Sequence, residues 1–434
     1  MPPSTSVPDA RAAAPASYGA PSGVEPTPLP RRNGVRGRCV PVWVSLTALA
    51  LGGFGIGTTE FASMGLLPDI ARDLDVSVPT AGHAISAYAL GVVVGAPLFA
   101  VLAARMPRKG LLLFLAAAIG VGNLLSAMAP SFSMFVSARF LSGLPHGAYF
   151  GFAAVVAAAL VPPGRRARAV ASTMTGLTVA NVVGVPLTTL LGQALGWRSA
   201  YIVVVVIAAL TVLAVEISVP RVGADGASPR RELTALRRPL VWLTLLIGAV
   251  GFGGFFAVYS YIAVTLTKVS GYSDGQVPIV LALLGVGMTV GTVAGGHLAD
   301  WSVLRALVIG PVLTVATLLL FTVTAHGVVT AAATATILGI VMSMSLPAIT
   351  ARLLDVSGDG KALAVTLNHS ALNMANALGA WLGGVVIAAG WGYTSPAVVG
   401  AGLAVIGLAV LGASVLVERR GRSRDLERVD LLAA

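Results

Sequence analysis

The chain has 434 residues, 56% of them hydrophobic and only 10% charged, and a net charge of +11. A water-facing domain usually carries about 25% charged residues, so composition excludes an ordinary soluble protein. The positive charge does not point to nucleic acid, because the basic residues lie in short segments between apolar blocks. Cys39 stands alone, which excludes an internal disulfide, and five scattered histidines offer no metal-ligand spacing.

Residues 1–40 are rich in Pro, Ala, Ser and Gly and end in Arg31, Arg32, Arg36 and Arg38. They are expected to form a disordered cytoplasmic tail. No short apolar segment precedes the first long one, so a cleavable signal peptide is not expected. Crossing roughly 30 Å of hydrocarbon takes about 20 apolar residues. Blocks of that kind fall near 42–66, 79–103, 110–129, 133–160, 169–193, 199–219, 240–266, 277–298, 306–324, 328–350, 362–389 and 395–417. The predicted class is therefore an all-α polytopic membrane protein with twelve transmembrane helices. Residues 220–239 hold Gly223, Gly226, Pro229 and the run Arg230, Arg231, Glu232. They read as a cytoplasmic linker between a six-helix half at 41–219 and another at 240–417, with 418–434 as a second cytoplasmic tail.

With the N-terminus placed in the cytoplasm, 24 of the 28 Lys and Arg residues fall on inside segments. Only Arg72, Arg198 and Lys268 fall outside, and Arg139 lies within a span. Basic residues flanking short loops favour the cytoplasmic side, so both termini are predicted inside, in the cell membrane.

Two charges lie deep in the spans, Glu60 and Arg139. A charge at bilayer depth costs a few kcal/mol or more, so it usually faces a cavity and has a partner or a task. A carboxylic acid in a low-dielectric cavity can exchange a proton near neutral pH, which makes Glu60 the candidate coupling group. A purely structural hydrogen bond is the alternative. Arg139 keeps its proton and is a candidate for tuning a carboxylate or holding an interface. His146 lies two turns further along the same helix. It either joins such a relay or is a satisfied interhelical histidine.

The segments Gly95–Lys109 and Gly291–Arg305 are alike, with small residues in the last turns of a span and then a short polar hairpin with Arg. They lie about 196 positions apart. Two like-oriented halves place a binding site at the midplane between them.

These features resemble the major facilitator superfamily, and within it the twelve-span drug/proton antiporter branch. They are closest in kind to actinobacterial chloramphenicol-resistance and arabinose-efflux-permease-like exporters. The first span carries Gly57-Thr58-Thr59-Glu60-Phe61 and then Gly65-Leu66-Leu67-Pro68-Asp69-Ile70, similar to the branch's first-span signature. Arg105-Met106-Pro107-Arg108-Lys109 resembles the superfamily's inner-loop motif, departing at Ala100, Ala104 and Pro107; the second copy keeps Gly296 and Asp300. Arg139-Phe140-Leu141-Ser142-Gly143 is similar to the motif built on an intramembrane Arg. Gly176, Gly184-Val185-Pro186 and Gly192 are similar to the antiporter motif, with Val185 interrupting Gly-Pro. The resemblance implies proton-relay work for Arg139. Arg105, Arg108, Lys109 and the Asp300–Arg305 pair are expected to be conformational latches, acting through ion pairs between the halves and helix-end contacts, or else only to set topology.

Gly184 and Pro186 are expected to kink the fifth span and to allow close approach across the seam between the halves. Asn123, Asn181, Phe255, Tyr259, His369, Asn373 and Asn376 are the candidate substrate contacts. Asn and His with aromatic walls suit a small, moderately apolar organic molecule, although each could instead join helices. The expectation is a secondary exporter, not an enzyme, with no cofactor and no metal, functional as a monomer, exchanging a drug-like compound for protons. A sugar or metabolite exporter of the same superfamily is the alternative. No GxxxxGK[ST] motif is present for nucleotide drive. One proton moving down about 100 mV and one pH unit yields about 3.7 kcal/mol, sufficient for a several-hundred-fold gradient of a neutral cargo.

Overall fold

The computed structural model describes residues 40–102, 106–221, 233–358 and 360–433. The N-terminal tail up to Cys39, Arg105 and the linker run Arg230, Arg231, Glu232 lie outside the described residues. Twelve helices among the described residues are long and apolar enough to cross a bilayer. They are α1 (Val42–Gly65), α2 (Val78–Phe99), α3 (Arg108–Ala127), α4 (Phe132–Ala159), α5 (Arg168–Leu195), α6 (Arg198–Ser218), α7 (Pro239–Lys268), α8 (Asp274–Trp301), α9 (Val303–Thr324), α10 (Val328–Val356), α11 (Leu363–Ala388) and α12 (Ser395–Arg420). No strand occurs among the described residues. That is the expected consequence of a solvent in which every backbone group must be paired within its own segment. The boundaries follow the apolar blocks closely. The largest departure is at α10, which runs on past residue 350. Beyond the membrane, the α12 backbone stays helical to Ala433, where the sequence suggested only a tail.

Several spans are not straight rods. Pro347 begins a new helical segment in α10 after a break at Met344 and Ser345, as a residue with no N–H does. α7 breaks near Phe252 and again near Tyr261. α5 carries one π-helical turn, Ala180–Gly184, directly before Pro186. The wider turn absorbs the clash that the proline ring would make with the carbonyl four residues earlier, so the predicted kink is realised as a π-bulge.

Two six-helix halves build the bundle, and their likeness is visible in glycine. Gly91 and Gly95 of α2 lie against the Phe140 and Leu144 carbonyls of α4, and Gly143 returns the contact on Tyr88. Gly287 and Gly291 of α8 lie the same way against Thr336 and Ile340 of α10, and Gly339 returns it on Leu284. Each of these three pairs is separated by the same 196 positions. A side-chain carbon at any of them would meet a backbone oxygen at 1.9–2.6 Å. Absent side chains are therefore what bring these helix pairs together, as small residues do in lipid.

The basic residues Arg108, Lys109, Arg165, Arg166, Arg168, Arg237, Arg238, Arg305 and Arg352 lie at one end of the bundle, and Arg72, Arg198 and Lys268 at the other. Between the halves, α2 packs on α11 and α5 on α8. The seam is drawn tight at the less basic end. There Gln193 Nε2 donates to the Asp274 carbonyl at 2.9 Å, and the Tyr261 ring of the second half fills the space over Gly82 of the first.

Candidate functional site

Arg139 is fully buried on α4. Its guanidinium donates from Nη1 to Thr59 Oγ1 at 2.8 Å and from Nη2 to the Thr59 carbonyl at 2.9 Å. It lies between the rings of Tyr88 and Tyr201, 4.2 and 5.2 Å from their centroids. Thr59 Oγ1 in turn donates to Asn123 Oδ1, and Asn123 Nδ2 donates to Ser142 Oγ and to the Ile119 carbonyl. A charge at this depth is thus held by two hydrogen bonds and two aromatic faces, all from uncharged groups. Among the described residues no ion pair joins Arg139 to Glu60. Arg139 grips the residue next to Glu60 and so fixes the turn that aims it.

Glu60 itself turns to the other half. Its Oε1 accepts from Asn376 Nδ2 of α11 at 3.3 Å. Asn376 shares one helix face with His369 and Asn373, at i−7 and i−3. Asn373 Nδ2 is spent on the His369 carbonyl at 3.1 Å. The His369 ring stacks on Phe150 of α4, with centroids 5.5 Å apart and planes 5° apart. His146 sits edge-on to the same Phe150 ring at 5.5 Å, and its Nδ1 is 3.1 Å from the Tyr88 hydroxyl. Three contacts along α11 therefore meet the first half: Asn376 with α1, His369 with α4, and Ser86 Oγ of α2 donating to the Ala377 carbonyl at 3.1 Å.

The other predicted residues distribute as follows. Asn123 belongs to the Arg139 network and has its polar atoms engaged. Phe255 turns into the second half, where it lines a small pocket with Phe252, Leu307 and Met342. Tyr259 lies tilted between Phe255 at 5.0 Å and Phe61 of α1 at 5.5 Å, so it crosses the seam. Asn181 lies in the π-turn, with its carbonyl against Gly285 of α8 and Oδ1 without a protein partner.

The glycines of α5 correct one expectation. Gly176 and Gly184 face Ala50 and Thr58 of α1, and Gly192 faces Leu66 just after it, so they close a contact within the first half rather than across the seam. Between α5 and α8 the close glycine is Gly285, on the partner helix. The latch residues also differ from expectation. Lys109 pairs with Glu216 at 3.3 Å and Arg108 lies over Phe152 at 5.3 Å, both within the first half. Arg305 lies over Trp301 at 4.1 Å, and Asp300 joins no ion pair among the described residues. Ser302 separates the two helices and caps α9 at Arg305 N, which sets Asp300 and Arg305 on different helices. Arg105 is outside the described residues. Thr59, Tyr88, Ser142, Phe150 and Tyr201 complete the site and were not singled out from sequence. Phe150, one turn from His146, and Thr59, next to Glu60, were the available signals.

The second half holds no copy of this chemistry. At the 196-residue offset, Thr59, Glu60, Tyr88, Asn123, Arg139 and His146 correspond to Phe255, Phe256, Leu284, Leu319, Ala335 and Met342. One half carries the ionic groups, while α11 of the other supplies neutral polar ones.

Two pseudo-symmetric six-helix halves meeting at a buried polar site define a membrane transporter. The sequence profile of the Major Facilitator Superfamily matches residues 49–331, and the chain belongs to that family. It is 42% identical to the inner membrane transport protein YdhP of Escherichia coli (strain K12), over 84% of this chain and 94% of that protein. It is 36% identical to the putative transporter AraJ of the same strain, over 80% and 89%. It is 38% identical to a chloramphenicol resistance protein of Streptomyces lividans, over 62% and 70%. A bacterial homologue of the human lysosomal transporter Spinster, inward-facing and occupied, shares the fold at a TM-score of 0.70 and 18% identity, over 85% of this chain and 96% of that one.

Proposed function

We propose that the chain is an exporter that exchanges a small organic compound for protons by alternating access, with its basic face and both termini in the cytoplasm. The observation that carries this reading is the bond from Asn376 to Glu60, because it joins the lone deep carboxylate of one half to the substrate-facing helix of the other. An ionised carboxylate accepts roughly twice as strongly as a neutral acid. Loss or gain of one proton at Glu60 therefore changes how firmly α1 is tied to α11. Cargo lodged against Asn376 shares that amide with Glu60, which links cargo and proton.

In this reading Arg139 positions Glu60 through Thr59 and moves no proton itself. His146 is a bonded interhelical histidine on Tyr88. Gly184 and Pro186 shape α5 against α1. The chain works as a monomer in the lipid bilayer, and the twelve-span family with an antibiotic-resistance relative supports efflux of a drug-like compound, chloramphenicol being the first to test. Sugar or metabolite export is the second reading, favoured by the amide carbonyls of Asn373 and Asn376, which suit hydroxyl groups as well.

The test is energised accumulation of labelled chloramphenicol and labelled arabinose in a host stripped of its own efflux pumps. Exclusion of the drug that an uncoupler abolishes supports the drug reading, and exclusion of arabinose alone moves the assignment to sugar export.

A further inference from the structure

Among the polar atoms left without a protein partner on α11 are two amide oxygens, those of Asn373 and Asn376. Asn373 Nδ2 is committed to a backbone carbonyl, which can only accept, so the amide orientation is fixed and Oδ1 is the free atom. Asn376 Nδ2 faces the Glu60 carboxylate, which likewise leaves Oδ1. Both oxygens are buried without a protein partner, in residues that are 4% and 1% exposed. They stand three residues apart on one face of α11, a neighbouring pair on the helix surface. Glu60 adds further acceptor oxygens beside them.

The charged donor at this depth is already engaged. Both Arg139 Nη atoms are on Thr59, and its unpartnered Nε is enclosed with the Tyr88 and Tyr201 rings. The basic side chains of the loops lie at the ends of the bundle. An aromatic surface, the His369–Phe150 stack, flanks the acceptor pair along the same helix face.

We infer that the cargo is a neutral or cationic molecule presenting two neighbouring hydrogen-bond donors, hydroxyl or N–H, to the carbonyl oxygens of Asn373 and Asn376, and that anions are rejected. This rests on the exporter reading but not on its proton coupling. A site with acceptors already buried discriminates strongly against an analogue that lacks the donors, because its polar groups are then left unpaired.

The experiment is ligand-induced thermal stabilisation of the purified full chain in detergent, without any gradient. Two matched series are titrated: chloramphenicol, its 1,3-di-O-acetyl ester and its hemisuccinate; and L-arabinose, its per-O-methyl ether and arabinonate. In each series the second compound caps the hydroxyls and the third adds a carboxylate. The expected result is saturable stabilisation by at least one parent, with its capped and anionic partners about ten-fold weaker or worse. That preference should fall below about three-fold in Asn373→Leu and in the milder Asn376→Gln, which keeps the amide but displaces its oxygen. Equal binding of a capped or anionic partner, survival of the preference in both variants, or no stabilisation by either series overturns the inference. Failure of proton coupling would show instead as uncoupler-insensitive efflux with the binding preference intact.

Discussion

Thr59 is the hinge of the buried network, and its substitution by valine is the sharpest test of it. Valine keeps the shape and the backbone carbonyl that Arg139 Nη2 uses, but removes the hydroxyl. Arg139 Nη1 then loses its 2.8 Å acceptor and Asn123 Oδ1 loses its donor. A hydrogen bond to a charged group contributes about 1.5–3 kcal/mol in soluble proteins, whereas polar contacts between membrane helices average about 0.6 and reach about 1.7. Two bonds are lost and one involves a charge, so Thr59→Val should destabilise by about 2 kcal/mol. In a double-mutant cycle with Arg139→Met, about 1–1.5 kcal/mol of this should be coupling between the two sites. Reversible unfolding in mixed detergent micelles reads both quantities. Coupling below about 0.3 kcal/mol, within the usual additivity of independent sites, would refute the view that Thr59 is what holds Arg139.

Three further outcomes follow from the packing. Gly285→Leu places a side chain 2.3 Å from the Asn181 carbonyl, so it should push α8 from α5 and reduce cross-linking of cysteines introduced at Gln193 and Asp274; unchanged cross-linking would remove Gly285 from the seam. Gly143→Leu, against the Tyr88 carbonyl at 2.1 Å, should separate α2 from α4 and cost about 3 kcal/mol or prevent insertion, read as loss of folded protein after detergent extraction. At the less basic end, Arg198 and the Trp197 indole hold the Asp73 carboxyl below its ordinary range. A depressed folded value means stability that is present above the usual carboxylate range and lost as pH falls through the folded value. Asp73→Asn should therefore flatten the acid limb of the melting-temperature profile, and an unaltered limb would show that this contact does not stabilise the fold.

Much of this was legible because lipid is a severe solvent. The length of each apolar block had to match the bilayer, so the twelve spans could be placed from sequence. The repeat was legible because close helix contacts in lipid demand glycine at fixed positions, as at Gly95 and Gly291. Glu60 and Arg139 stood out because charge is rare at that depth. What sequence did not show was who meets whom. Arg139 is held by a threonine and two tyrosines, residue types common in any span, rather than by the one carboxylate nearby. The α5 glycines signalled a close contact without naming its partner, which is α1 and not the second half. Phe255 and Tyr259 are adjacent turns of one aromatic run, yet Phe255 faces a half-domain interior and Tyr259 crosses to Phe61. The π-turn before Pro186 is a local answer to a proline that a kink would also have met.

The central claim is that Glu60 carries the proton that cargo exchange requires. Purified protein is reconstituted into vesicles containing a pH-sensitive dye, and a downhill chloramphenicol gradient, or arabinose if that is the cargo, is imposed. The account predicts cargo-evoked proton movement in the natural chain and none in Glu60→Gln, while downhill movement of labelled cargo persists in that variant. Proton movement of undiminished size in Glu60→Gln would contradict it.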